Sequence, residues 1–497
     1  MTHDGIHVRG LRVWLPGRGH VLGEATSGAG IDVDLGGVTL LVGRSGSGTS
    51  LLLDALAGDL PAGAMVSGSV RTPATAGSGH GDIVRIPPDL PDVSVRDLWV
   101  GPGRAAPDME LLHALGVSVT DTTRTATLPS ALRAALALAA TLARPDVALL
   151  LGDQVLGRLR PEHRAPALAA LRRRAQAGTT VVLAEHLLED ALAAADTVVE
   201  LVRGQAMSNP AATWTPRTLP LPPQYAAARL LALPRPVWGR AGALADVPAA
   251  SSAAPRSTGR NVGDVLVRAR PEESCLAREL EIHHHETIGV VALDRDDARA
   301  LDVARRVVAI AAGRRVLPHP LTLPDRTQVR ALIRVWERRH QLGRRTFDVA
   351  ALQPLRLQDL VIDPLRCTDQ HSSGERAALA WAMGAVVPGP RLLLHPERSL
   401  DATSRRALAT HLSAGPGTGA PHVVISHDPE FLVRACHRLV LLDGDAEEQV
   451  GTPALLAPSL PVPPVLRRHG LRVNRVADLR APALPTPTPT LTGDLRV

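Results

Sequence analysis

Lysine is absent from the 497 residues, so all 55 basic side chains are arginine and no lysine is available to a phosphate site. Aromatics are scarce: six tryptophans, two phenylalanines and one tyrosine. The cysteines, Cys275, Cys367 and Cys436, lie far apart with no CxxC spacing. That excludes a disulfide framework and fits a reducing compartment. No stretch approaches 18 apolar residues and the N-terminus lacks signal-peptide form, so the chain is expected in the cytosol, reaching a membrane only through other subunits. A net charge of +6 is too small to argue for nucleic acid as partner. The excess of Ala, Arg, Pro and Gly reads as coding bias. Hydrophobic content of 45% is enough for real cores, and the length suggests about three domains.

The most informative stretch is Gly43–Ser50, GRSGSGTS, between the apolar run Val38–Val42 and the helical pattern Leu51–Gly58. Strand, glycine loop and helix in that order make a P-loop, which reads GxxxxGK[ST]. Gly43, Gly46 and Gly48 allow a tight turn whose amides can face a phosphate, and the helix that follows favours an anion at its N-terminus. Ser50 stands at the Mg²⁺-ligand position, and Thr49 stands where the lysine belongs. Losing one hydrogen bond to a charged group costs roughly 1.5–3 kcal/mol, about a 10–150-fold loss of affinity. Arg44, in the same loop, reads as solvated.

Residues 6–14 read as a first strand ending in Trp14, which is placed to stack on an adenine or to close a half-buried strand end. Strands are expected near 66–70 and 83–86, a largely helical region over 106–144, and a buried strand over 146–152 that delivers Asp153 at its C-terminal end. Thr179–Ala184 is a further apolar strand, followed closely by His186. Parallel strands with polar residues at their C-terminal ends fit a P-loop α/β core. His283-His284-His285 alternates across its element and reads as an exposed turn rather than a metal site.

The order of glycine loop, helical insert, strand with Asp and strand with His resembles an ABC-transporter ATP-binding subunit. It recurs as an internal repeat of roughly 250 residues. In the second half, His371-Ser372-Ser373-Gly374-Glu375-Arg376 is similar to the family's signature. Arg391–Asp401 resembles its Walker-B segment one residue short, and Val423–Asp428 its switch-histidine strand. Pro222–Pro234 resembles the extension of the peptide/nickel importer subgroup.

The resemblance implies an α/β fold with two P-loop ABC ATPase-type nucleotide-binding domains in one chain, each with a helical subdomain. The expected division is 1–207, a first domain; 208–262, extension and linker; 263–447, a second, degenerate domain; and 448–497, an extension and a disordered Pro-Thr tail. It also implies ATP and Mg²⁺ as cofactors, and membrane permeases with an extracytoplasmic binding protein as partners. The chain would then lie peripherally on the cytosolic face, with its two halves pairing intramolecularly. Soluble tandem members acting on ribosomes or DNA share the duplication, but they carry a long charged linker that 241–262 does not supply.

Each nucleotide site of the family pairs one half's P-loop with the other half's signature. For the first, the implied residues are Trp14, Gly43, Gly46, Gly48, Thr49, Ser50, Ser372 and Gly374 around the nucleotide. Ser50 and Asp153 would hold the metal, with Gln154 and His186 at the catalytic positions. Gln154 replaces the catalytic glutamate, and loss of a general base is worth on the order of 10²–10⁴ in rate. Pro88 replaces the Q-loop glutamine. The second site is expected to be dead: Leu293–Arg299 keeps no glycine, Thr127–Ala131 has lost the signature glycines, and His395 and Pro396 stand for the Walker-B Asp and Glu. A catalytically silent pseudo-ATPase, a scaffold or nucleotide sensor, is the alternative reading.

Overall fold

The structure, a computed structural model, describes residues 5–219 apart from 17–18, 24–27, 73–81 and 101–105. It also describes residues 263–451 apart from 293–296, 314–315, 317, 320–322, 325, 341–364, 372, 386, 415–418 and 444–445. Pro222–Pro234, the linker 241–262, Ser372 and the Pro-Thr tail lie outside the described residues. Residues 208–219, expected in the extension, belong instead to the first domain: a strand over Gln205–Pro210 runs into them, and Trp214 Nε1 donates to Glu200 at 3.2 Å. A strand over Ala446–Gly451 likewise carries the second domain past 447.

Strands β1 (Gly5–Leu15), β2 (Gly19–Leu22), β3 (Ala29–Asp34) and β5 (Met65–Arg71) form an antiparallel sheet in which β1 pairs with the other three. Ile6, Val8, Leu11, Val13 and Leu15 of β1 are all buried. Strict alternation would turn the last three outward, but a register shift between Val8 and Leu11 resets the parity.

The second sheet is built from β4 (Val38–Gly43), β6 (Asp82–Arg85), β7 (Val147–Asp153), β8 (Thr180–Ala184), β9 (Thr197–Val202) and β10 (Gln205–Pro210), in the order β10-β9-β4-β8-β7-β6. All its pairings are parallel except β9–β10. β4 and β8 are buried at every position, as parallel strands covered on both faces must be. One face is covered by α1 (Thr49–Ala57) and the antiparallel sheet, the other by α2 (Ser130–Leu142) and α3 (Pro161–Gln176).

The second half repeats this layering. Its six-stranded sheet runs β14-β15-β16-β13-β17-β18, made of β13 (Thr287–Ala292), β14 (Pro318–His319), β15 (Arg391–Leu394), β16 (His422–Ile425), β17 (Arg438–Asp443) and β18 (Ala446–Gly451). The last pair, β17–β18, is again antiparallel. One face packs on α4 (Asp297–Ala312) and the hairpin of β11 (Val265–Ala269) with β12 (Leu280–His283). The other packs on α5 (Ser373–Ala385) and α6 (Ala402–Ser413).

Two expectations change. The region 106–144 is not one helical stretch: a short helix over Met109–Ala114 and α2 are separated by irregular chain and one 3₁₀ turn, Thr125–Thr127. Thr127 Oγ1 donates to the Arg124 carbonyl there at 2.7 Å, offering the backbone an alternative to helix. The Walker-B-like segment of the second half is not one residue short. Asp153 pairs with Ala184, and Leu394 pairs with Ile425 at the same place in its sheet. The next residue in each half, Gln154 or His395, is left-handed and donates its N–H to that partner's carbonyl, at 2.8 and 2.7 Å. Leu394, not His395, therefore takes the aspartate place, and His395, not Pro396, takes the glutamate place. The sequence alignment slipped because it gave the strand-end leucine to the apolar run.

Candidate functional site

Gly43 ends β4, five residues turn, and α1 begins at Thr49. The turn is closed by Ser47 N–H donating to the Arg44 carbonyl at 2.9 Å. Two of its glycines are required. A Cβ on Gly43 would lie 2.2 Å from Ser47 Oγ, and Gly48 has φ +97 with Leu22 of β2 2.8 Å from where its Cβ would be. Gly46 has φ 83. The loop thus presents backbone amides and the first-turn N–H groups of α1, which have no intrahelical partner. Ser45 Oγ and Ser47 Oγ are buried and bond to nothing among the described residues. Buried hydroxyls are normally satisfied, so this pair fits a loop that receives an anion.

Leu41, Gly43, Thr49, Asp153, Gln154 and His186 line one cleft. Five of the predicted site residues are therefore together. Ser50 adjoins them in the first turn of α1. Ser50 hydroxyl and Asp153 carboxylate are hard oxygens suited to Mg²⁺. Burial holds the His186 imidazole below its ordinary range, with Asp401 and Asp153 pulling the other way. Trp14 is half-buried in β1, opposite His20 of β2 and Met65 of β5. It sits one strand away from Leu22, the residue that backs Gly48.

The sequence reading missed Arg85. Its guanidinium bonds Asp54 of α1 and lies 3.5 Å from Asp153 Oδ2. Arg158 Nη2 donates to the Asp153 carbonyl at 2.6 Å. Arg85 ends β6, next to the strand that delivers Asp153, and that adjacency was the signal available. Glu185 was also missed. It is buried, with Oε1 accepting from Leu156 N–H at 2.8 Å and Oε2 unpartnered. Pro88 stands beside Pro87, whose carbonyl accepts from Arg158 at 3.5 Å.

The second half meets the first at this loop. Ser45 N–H donates to Asp401 Oδ2 at 2.8 Å. Asp401 Oδ1 caps α6 through Thr403 and Ser404 N–H, both at 2.9 Å. Gly374, in the first turn of α5, packs on Ser45 so closely that a Cβ would lie 2.9 Å from its Oγ. In the first half, α2 starts at Ser130 after Pro129, so proline and alanine stand at the places of Ser372 and Gly374. The histidine run forms the turn between β12 and β13, with His283 and His284 ring nitrogens on the carbonyls of Gly263 and Gly419. No cluster with metal-holding geometry occurs among the described residues.

A hemin import ATP-binding protein of Streptomyces coelicolor is 35% identical over 214 residues, 39% of this chain and 74% of that protein. The chain belongs to the ABC transporter ATP-binding protein family. A hemin import ATP-binding protein of Pseudomonas fluorescens is similar at 29% over 190 residues, covering 37% of this chain and 71% of its own. A spermidine/putrescine import ATP-binding protein of Spiroplasma citri is 33% identical over 92 residues, 18% of this chain, which spans 26% of that protein's length. No family model matches the chain. Among solved structures, ribosome-bound archaeal Pelota and ABCE1 give a TM-score of 0.58 at 16% identity, covering 86% of this chain and 76% of that one. The archaeal ribosome recycling factor with its stalk protein gives 0.50 at 16%, covering 84% and 86%. Likeness at that identity is one of fold: two ABC ATPase-type units in one chain. Among the described residues of this ABC protein, no helix is long and apolar enough to cross a membrane.

Proposed function

We propose that the chain is the ATP-binding component of an import system. MgATP at Gly43–Ser50 draws its two halves together, and separate membrane permeases take up that closure from the cytosolic face. The observation that supports the reading is the contact of Ser45 with Gly374 and Asp401, which fits one half's P-loop pairing with the other half's signature helix. In this reading residues 1–207 and 263–447, each extended to the end of its last strand at Pro210 and Gly451, are the paired units, and the chain between them joins them.

The loop amides, with the Ser45 and Ser47 hydroxyls, hold the phosphate oxygens. Signature Ser372 and Gly374 close over them, and Trp14 stacks on the base. Ser50 and Asp153 hold Mg²⁺, which when bound offsets charge on the phosphate oxygens. Arg85 neutralises part of the Asp153 charge and so weakens this ligand. Neutral His186 offers a nitrogen lone pair or an N–H to the terminal phosphate region. Gln154 orients water without accepting its proton.

The relatives' names give hemin and spermidine/putrescine as cargoes, so import is what they share. A peptide or nickel cargo, delivered by an extracytoplasmic binding protein, rests on Pro222–Pro234 alone. Catalytic silence is the second reading, favoured by Thr49 and Gln154 side by side in the cleft.

Equilibrium binding tests the site. Mg²⁺-dependent ATP binding by the full chain is expected to tighten about 10–150-fold in Thr49→Lys, the value of one restored hydrogen bond to a charged group. Affinity unchanged by Thr49→Lys would mean that phosphate does not sit on this loop.

A further inference from the structure

At the metal end of the cleft one cation is shared unevenly between two carboxylates. Asp54 stands one turn beyond Ser50 on α1, so the two lie on the same face of the helix. Arg85 ends β6 opposite Leu151 of β7, and Asp153 ends β7. The Arg85 guanidinium makes a close bond to Asp54 Oδ1 through Nη1. Its Nη2 lies 3.5 Å from Asp153 Oδ2, at the outer limit of a hydrogen bond. Arg85 is thus anchored on one carboxylate and rests on the other. The side chains of Asp54, Arg85 and Asp153 are 20%, 32% and 19% exposed, so solvent screens them less than a surface pair.

An arginine beside a strand-end carboxylate is ordinarily a structural ion pair. Two observations tie this one to the site. The second half keeps the strands but not the charges: Pro318 faces Leu392 as Arg85 faces Leu151, and Leu394 takes the place of Asp153. The strand ends therefore form without the pair, and the pair stands beside the glycine loop. Asp54 also needs the cation for itself. Burial pushes its carboxyl up and the Asp153 charge adds to that push, while Arg85 opposes both. Arg85 therefore stays on Asp54 even where its contact with Asp153 is given up.

We propose that Arg85 is a resident rival of the divalent ion: it holds Asp153 when no metal ion does, gives up that oxygen when one is taken up at Ser50 and Asp153, and is retained meanwhile by Asp54. Arg85 thereby sets how strongly nucleotide binding depends on metal, and Asp54 acts through Arg85 by keeping it off Asp153. The inference rests on the reading of MgATP at Gly43–Ser50 and deepens it: the chain carries its own counter-cation, so ATP without metal is a ligand of this site as well.

The metal benefit, which is the ratio of ATP dissociation constants measured in EDTA and in excess Mg²⁺, tests this in the full chain. An opposite charge close to a carboxylate changes that group's affinity for a proton by about tenfold or more, and a divalent ion competes for the same charge. Arg85→Gln should therefore raise the metal benefit about tenfold. Asp54→Asn should lower it, by leaving Asp153 as the carboxylate on which the guanidinium settles. The double variant should match Arg85→Gln, because Asp54 has nothing to hold once Arg85 is gone; two independent field effects would instead add and return it toward the parent. Saturable ATP binding by each variant shows that it is folded. A metal benefit unchanged in Arg85→Gln, or a double variant that returns to the parent value, overturns the rivalry while MgATP binding at the loop stands. No ATP binding by the parent or by Thr49→Lys at millimolar nucleotide, with or without Mg²⁺, overturns the loop reading and the rivalry together.

Discussion

Replacing Gln154 with glutamate is expected to raise phosphate release from MgATP by about 10²–10⁴-fold, the usual worth of a general base. The substitution changes chemistry with little change of shape. Gln154 already holds the left-handed backbone this position demands, φ 52, and its N–H is fixed on the Ala184 carbonyl at 2.8 Å. Its side chain shares a cleft with Thr49, Asp153 and His186. An amide there can orient water but cannot accept a proton, so the variant supplies the general base the cleft lacks. Measuring the rate with Thr49→Lys in the same chain keeps weak binding from hiding the gain. No gain in that double variant would place the block elsewhere, with the Arg85–Asp153 contact the first candidate.

The second large effect is on stability against pH. Burial pushes Glu185 up to about 8, with Leu156 N–H lowering it in part, and pushes Glu397 up to about 7. The two carboxyls stand at opposite ends of the same turn-to-turn contact in their own halves: Ser426 takes the place of Glu185, and Glu397 the place of Leu156. Glu185 reaches from the end of β8 to the turn after β7, and Glu397 reaches from the turn after β15 to Ser426 Oγ, which donates at 2.6 Å. Each is favoured protonated in the fold, so its contribution is full below about 4.5, the unfolded value. It is lost as pH rises through 7 and 8. For Glu185 the span from 4.5 to about 8 is worth at most about 5 kcal/mol. Glu185→Gln keeps a carbonyl for Leu156 N–H and cannot ionise. Thermal melts should show Tm falling between about pH 4.5 and 8 in the parent, levelling above that, and falling much less in the variant, with the variant higher by several °C at pH 8 and above. Parallel Tm–pH curves would show that Glu185 does not titrate on unfolding.

The first site was legible because its parts are local. Val38–Val42, the glycines and Leu51–Leu56 state strand, turn and helix within one continuous stretch, and the polar residues after β7 and β8 announce themselves by ending apolar runs. The α/β fold of two ABC-type units was legible for the same reason. What escaped were contacts made across the fold. Arg85 reaches Asp54 and Asp153 only because β6 lies beside β7, and Glu185 meets Leu156 only because two turns stack. Arg160 and Asp297, whose side chains meet at 2.8 Å, carry no local sign that they face each other; each is an ordinary residue at a helix start until the halves are placed together. The misplaced Walker-B residues have the same origin, since the side-chain types of Leu394 and His395 cannot fix a register that backbone pairing with Ile425 does.

One nucleotide site is expected in this chain of two ABC units. Calorimetric titration of MgATP into the full chain, with Ser50→Ala beside it as a control that leaves the glycine turn intact, tests this most directly. One ATP per chain, weakened in Ser50→Ala, is the predicted result. Two ATP per chain, or no binding at millimolar MgATP, would contradict it.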